Sequence, residues 1–242
     1  MRLLLTRPSA DAAPLAARLR ADGHEVLVAP MLTIRGLPAT PLDVTGVQAI
    51  LLTSANGARA LAGAATGRAD VLALPAFSVG AASARAAAEA GFARVESAGG
   101  DVDDLAALVA RRLCPADGAL LHVAGSRRAG DLAGALGARG FEVRRAVLYE
   151  AVTATALPAT AAAALAERRL DAVLLFSPRT AATFARLIST AGLAPACRDL
   201  TAYCLSQAVA AKLTGLDWRR VAVARRPEQE HLLALLREEA KA

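Results

Sequence analysis

Leu51-Leu52-Thr53-Ser54-Ala55-Asn56-Gly57 is echoed by Leu174-Leu175-Phe176-Ser177-Pro178-Arg179-Thr180 about half a chain later. Each phrase begins as an apolar run and passes through a hydroxyl residue into a helix-compatible stretch. That is how a buried strand hands over to the first turn of a helix. A second echo pairs Gly23-His24-Glu25-Val26 with Gly140-Phe141-Glu142-Val143. Two phrases of different type recurring about half a chain apart suggest two similar lobes built from one kind of unit, and 242 residues suffice for two lobes of ordinary size. A cleft between two such lobes is a common place to bind a ligand.

Outward from these phrases the alternation continues. Arg2-Leu3-Leu4-Leu5 reads as a short buried strand, Pro8 and Ser9 open an amphipathic helix that runs to Arg20, and Gly23 stops it. The next strand is Glu25-Val26-Leu27-Val28. Two parallel strands joined by one helix form a βαβ unit. Further strands are predicted at 49–53, 76–79, 119–123, 142–148, 172–176, 201–205 and 221–224. Helices are predicted at 56–65, 81–90, 102–112, 129–139, 159–169, 179–191, 207–214 and 228–240. The expected fold class is α/β, with two similar flavodoxin-like parallel-sheet lobes.

Two joints break the pattern. From Pro30 to Pro41 the chain carries Met31-Leu32-Thr33-Ile34-Arg35 without helical period, and Ala146-Val147-Leu148-Tyr149-Glu150-Ala151-Val152 is likewise extended. Two extended crossings imply that the chain leaves one lobe and later returns to it. Lobe one then combines residues 1–32 with 153–242, lobe two is 38–145, and 33–37 with 146–152 form a two-stranded linker. The competing partition is a single cut near residue 118.

Composition removes several function classes. Cys114, Cys197 and Cys204 are odd in number without a Cys-x-x-Cys pair, and His24, His122 and His231 lack ligand spacing, so neither disulfides nor a metal site is expected. The apolar run at the N-terminus is too short for a secretory signal. The longest uncharged stretch, 151–166, contains Thr153, Thr155, Pro158 and Thr160 and falls short of the roughly 18 apolar residues of a membrane span. A cytoplasmic protein without membrane contact is expected. Lys plus Arg number 28 against 22 acids, a net charge of +6 that fits either a solvated Arg-rich surface or an anionic ligand. Nucleic acid is the weaker form of the second reading, since aromatic residues are 3% and no basic block stands out. A small polycarboxylate or phosphate compound fits better.

In open α/β sheets ligands bind beyond the carboxyl ends of strands, where helix N-termini present unpaired N–H groups. Thr53, Ser54, Ala55 and Asn56 fall at such an end in one lobe, and Ser177, Pro178, Arg179 and Thr180 in the other. Ordinary N-capping by Ser or Thr explains either site alone; the matched pair leaves capping and ligand binding evenly weighed. Gly80 and Ser83, Gly125 and Ser126, and Ser206 and Gln207 occupy comparable turns, and Arg7 and the Arg127-Arg128 pair could supply charge. Tyr149 sits on the second crossing, where it is either a structural ribbon tyrosine or a side chain facing the ligand. There is no Gly-x-Gly-x-x-Gly, no Gly-x-x-x-x-Gly-Lys-Ser/Thr and no Gly-x-Ser-x-Gly, so no cofactor is expected.

In order and spacing, the opening Leu-Leu-Leu-Thr-Arg-Pro, Leu52-Thr53-Ser54-Ala55-Asn56-Gly57, Val79-Gly80, Gly140-Phe141-Glu142-Val143 with Leu148-Tyr149-Glu150, and Phe176-Ser177-Pro178-Arg179-Thr180 resemble uroporphyrinogen-III synthases. The resemblance implies two α/β lobes on a two-stranded linker and a cofactor-free monomer that cyclises the linear tetrapyrrole hydroxymethylbilane, a polycarboxylate. It also implies loss of water, inversion of ring D and transient contact with the preceding pathway enzyme. Loss of the ring-A hydroxyl would give a cationic azafulvene that attacks ring D through a spiro intermediate. Tyr149 matches the family's linker tyrosine, and the resemblance implies that it assists hydroxyl departure as a hydrogen-bond donor or weak acid. Ser83 stands where many relatives have Thr. Leu205-Ser206-Gln207-Ala208 replaces a Gly-x-Thr-type phrase, so Ser206 and Gln207 are carried over for backbone N–H groups only. The rival readings are a two-lobed binding or sensory protein for an anionic small molecule, which lacks the expected export signal and output domain, and a nucleotide-donor transferase, which lacks a phosphate loop.

Overall fold

Short apolar runs become strands, and after four of them Ser54, Gly80, Ser177 or Ser206 stands as the cap residue of the next helix. The computed structural model describes residues 1–37, 42–127 and 130–239; Pro41, Arg128, Ala129 and Ala240, on which parts of the expected linker, cation pair and helices fall, lie outside them. The chain begins β1 (Arg2–Leu5), α1 (Ser9–Ala21), β2 (Glu25–Val28), β3 (Leu32–Gly36), β4 (Val47–Leu52) and α2 (Ala55–Ala64). It continues α3 (Ala69–Leu72), β5 (Ala76–Ser78), α4 (Ala81–Glu89), β6 (Val95–Ser97), α5 (Val102–Arg112), β7 (Ala119–Gly125) and α6 (Leu132–Gly137). Next come β8 (Val143–Thr153), α7 (Ala159–Ala166), β9 (Ala172–Leu175), α8 (Pro178–Thr190), β10 (Thr201–Cys204), α9 (Gln207–Ala210), β11 (Arg220–Val223) and α10 (Gln229–Glu239).

The chain divides into two compact units, Met1–Thr33 with Val152–Ala242, and Ile34–Ala151. In the first, five parallel strands run β11-β10-β9-β1-β2. Numbered within the unit, that is the flavodoxin-like order 2-1-3-4-5, with its reversal between β1 and β9. Leu3, Leu5 and Leu174 pack on one face with Leu15, Leu19, Leu232 and Leu236. Leu4, Val173 and Leu175 pack on the other with Leu165, Phe184 and Ile188. Burial on both faces is why these strands read as unbroken apolar runs rather than alternating ones.

The second sheet runs β3-β8-β7-β4-β5-β6. From β8 to β6 the strands are parallel, and numbered within the unit they follow 3-2-1-4-5, with the reversal between β4 and β7. β3 lies outside β8. The Leu37 N–H donates to the Leu148 carbonyl at 2.9 Å and the Ala154 N–H to the Met31 carbonyl at 3.0 Å, so numbers rise on one strand as they fall on the other and the ribbon is antiparallel. β8 is one continuous strand of 11 residues, merging the expected strand and extended crossing.

The first echo lands on the central strand of each parallel array, β9 between β1 and β10, and β4 between β5 and β7. The second echo lands on an edge strand, β2, and on β8, which are not equivalent places. What Gly23 and Gly140 share is local: φ of 85° and 86°. In addition, the next residue's N–H bonds back across the helix end, His24 to the Leu19 carbonyl and Phe141 to the Leu136 carbonyl. This is a helix stop that needs glycine, and it accounts for the phrase without common descent of the two strands.

Three helices are shorter than the periodicity predicts by three residues or more. α6 starts only at Leu132 because the Asp131 carboxylate accepts the Gly134 N–H at 3.0 Å and sets the cap there. α7 ends before Arg168, a non-glycine residue with φ of 54°. α9 is a single turn of four residues. α3 and β6, four and three residues long, carry too few positions for a periodic signal and are not anticipated. Among the described residues no helix is long and apolar enough to cross a membrane.

Candidate active site

The reversal point of the second sheet lies between β4 and β7, where crossovers leave to opposite faces and open a crevice at the strand ends. Ser54 caps α2 there. Its Oγ accepts the Gly57 N–H at 3.0 Å and lies 2.8 Å from the Tyr149 hydroxyl. Gly57 lets that turn sit close to β7, since a Cβ there would stand 3.2 Å from the Val123 carbonyl oxygen.

Tyr149 is delivered by β8 opposite Gly125, where the β7 to β8 register shifts. Its carbonyl accepts the Ser126 N–H at 2.9 Å. A Cβ on Gly125 would lie 2.9 Å from Cε2 and Cζ of the ring, so only glycine leaves room for the phenol in this position.

A pocket of about 230 Å³ opens beside this pair. Thr53, Ser54, His122, Tyr149 and the charged Arg127, Asp131 and Arg145 supply its polar wall, with Gly125 beside them and Leu132 and Ala133 of α6 among the apolar lining. His122 Nε2 lies 3.2 Å from Thr53 Oγ1. Burial first, and the nearby Arg145 guanidinium second, push the His122 pKa down to about 4, so the ring is neutral at physiological pH. Arg145 Nη2 donates to the Gly125 carbonyl, which ties the cation to the turn that seats Tyr149.

Of the residues expected to bind or to supply charge, Thr53, Ser54, Gly125, Arg127 and Tyr149 thus share one pocket, with Ser126 adjoining. Ala55 opens α2, and Asn56 Oδ1 accepts from Arg59 Nη2 at 2.6 Å. Gly80 and Ser83 begin α4 beyond β5; Gly80 is the cap and Ser83 is buried.

The other expected residues stand at strand ends of the first unit. Ser177 caps α8 as Ser54 caps α2, accepting the Thr180 N–H at 3.1 Å and meeting the buried Thr180 hydroxyl at 2.8 Å, while Pro178 fills the first turn. Arg179 follows on α8, where its carbonyl accepts the Thr183 hydroxyl at 2.8 Å. Arg7, past β1, places its guanidinium 4.7 Å over the Phe176 ring and donates to Gln229 Oε1 at 2.8 Å. Ser206 is the cap residue of α9 without a side-chain cap bond, and Gln207 is exposed.

His122 and Arg145 are pocket residues that the sequence reading did not select. A signal existed: His122 is the one ionisable residue within the apolar run 119–125, and Arg145 shares a strand face with Val143 by two-residue spacing.

The family model described as HEM4, uroporphyrinogen-III synthase HemD, matches residues 13–234. Among solved structures, a uroporphyrinogen-III synthetase from Helicobacter pylori is similar over 98% of this chain and 99% of its own, at 17% identity and a TM-score of 0.66. A mutant uroporphyrinogen III synthase from Thermus thermophilus is similar over 100% of both chains, at 19% identity and a TM-score of 0.56. At such identities these likenesses establish the fold alone. No curated protein matches the chain significantly.

Proposed function

Because the chain belongs to the uroporphyrinogen-III synthase family, we propose that it is a cyclising lyase, converting hydroxymethylbilane to uroporphyrinogen III and water as a cytoplasmic, cofactor-free monomer. The observation that supports this reading best is the 2.8 Å contact between the Ser54 hydroxyl and the Tyr149 phenol at the edge of a pocket that Arg127 and Arg145 also line. Ser54 Oγ already accepts the Gly57 N–H, so it has one O–H to give. When it gives that proton to the phenol oxygen, the Tyr149 O–H is released to point at a leaving group.

The ring-A carbon–oxygen bond breaks and the hydroxyl leaves as water with the proton donated by Tyr149. The substrate's pyrrole nitrogens carry the resulting azafulvenium charge, while Ser54 stabilises the phenolate. Attack on the substituted carbon of ring D, fragmentation and reclosure invert that ring. The final carbon gives up its proton as the pyrrole regains aromaticity, and Tyr149 recovers one.

The first turn of α2, at the pocket of the second unit, offers backbone N–H donors and a positive dipole end to an acetate or propionate group. Arg145 and Arg127 add charge at the pocket. Hydroxymethylbilane closes unaided to the uninverted type-I isomer, so the enzyme's task is to hold the chain in one conformation. The same instability favours transient contact with the enzyme that supplies it. Freshly generated hydroxymethylbilane, incubated with the protein, oxidised and separated by isomer, should give the type-III product; type I alone would overturn the assignment.

A further inference from the structure

Along β7 the faces alternate: Leu120 packs in one cluster with Leu105 and Leu136, and Leu121 and Val123 pack in the other. His122 shares the face of Leu120, the face on which α6 contributes Leu132 to the pocket wall. A polar ring here replaces what would otherwise be one more apolar strand residue, and burying it without a partner costs stability. The partner is Thr53, whose Oγ1 lies 3.2 Å from Nε2.

Thr53 is β-branched, so its χ1 is stiff and its remaining freedom is the direction of the O–H. That direction depends on the imidazole. If Nε2 is bare it takes the hydroxyl proton. If Nε2 carries the proton it donates to Oγ1, and the hydroxyl is free to donate elsewhere.

We propose that His122 is a positioning residue: as the Nε2–H tautomer it donates to Thr53 Oγ1 and turns the Thr53 O–H into the pocket, toward a substrate carboxylate. The proposal rests on the synthase reading and adds to it a relay from ring to hydroxyl to carboxylate in which each bond polarises the next. Its effect belongs to substrate binding and to the choice of folded substrate conformation, and not to the departure of the hydroxyl at Tyr149.

The test is a double-mutant cycle with hydroxymethylbilane as substrate and the product isomers separated. His122→Leu and Thr53→Val should each raise KM about five- to tenfold with kcat nearly unchanged, the loss expected for one positioned hydrogen bond. Both should raise the type-I fraction. The double variant should be no worse than the weaker single one, because both remove the same relay. His122→Gln, which keeps an N–H donor near the Nε2 position, should bring KM most of the way back to that of the unaltered protein.

Imidazole 15N spectra of the unaltered protein, assigned by comparison with His122→Gln, should show the Nε2–H form. Additive losses, an unchanged KM in either single variant, or an Nδ1–H ring would overturn the proposal. The spectrum and the Thr53→Val and His122→Gln measurements stand even if His122→Leu does not fold. Type I alone from the unaltered protein would overturn the synthase reading and this inference with it, whereas type III from the unaltered protein with additive losses overturns the inference alone.

Discussion

The Ser54 hydroxyl serves two neighbours at once, the Gly57 N–H of its own helix and the Tyr149 phenol, so Ser54→Ala removes a cap and a contact to the proposed acid together. Loss of such a cap costs about 1 kcal/mol, visible in urea unfolding. Turnover should fall by more than the same change at Ser177, which caps α8 without touching a tyrosine in this way. Tyr149→Phe keeps the ring and removes the donor; we expect kcat to fall about a hundredfold, within the range for acid–base assistance, with KM within about threefold. Equal kcat for Phe and Tyr in the type-III assay would remove the catalytic role. Gly125→Ala tests the seat of the same ring. Its Cβ would stand 2.9 Å from Cε2 and Cζ, so either the ring or β7 must shift, costing about 1–3 kcal/mol by overpacking and lowering turnover with it. Wild-type turnover in Gly125→Ala would show that the phenol's position is immaterial.

At the scale of elements, β7 carries a pH-dependent cost. His122 in the unfolded chain titrates near 6.5, whereas burial lowers its folded value to about 4. The folded state thus binds fewer protons than the unfolded one between those values, and stability present above pH 6.5 is lost as pH falls toward 4. Between pH 7 and pH 5 the share due to this ring is about 2 kcal/mol. The unfolding free energy of the unaltered protein should therefore fall by about that much more than that of His122→Leu over the same interval. Parallel curves would show that the ring protonates freely in the folded state. The helix stops at Gly23 and Gly140 make a second prediction at this scale. With φ of 85° and 86° and no Cβ contact closer than 3.7 Å at either, alanine at each should cost about 1–2 kcal/mol by backbone strain alone. The two losses should add. A negligible loss at one site and a large one at the other would contradict a shared local cause.

At the scale of the molecule, the alternation of strand and helix was legible because each unit buries its strands on both faces, and such strands appear in sequence as short apolar runs ended by a capping residue. Leu3-Leu4-Leu5, Leu51-Leu52 and Leu174-Leu175 could be read this way without coordinates, as could the two caps Ser54 and Ser177. Family membership was legible from the order of these phrases. Short elements were not: α3 and β6 carry less than one repeat of any period. Nor was the pocket, because His122 and Arg145 reach Thr53, Ser54 and Tyr149 only through the lateral neighbours of their strands.

Local chemistry along the chain dictated where strands and helices begin and end, since burial pattern, caps and glycine stops act between residues a few positions apart. Lateral strand order is different in kind. The arrangement 2-1-3-4-5 in one unit and 3-2-1-4-5 in the other arises from which strand edges meet after collapse, and the side-chain pairs that favour one meeting over another join segments far apart in the chain. That order places the end of β4 beside the end of β7, brings Tyr149 across from Gly125, and turns a capping serine into the neighbour of a phenol.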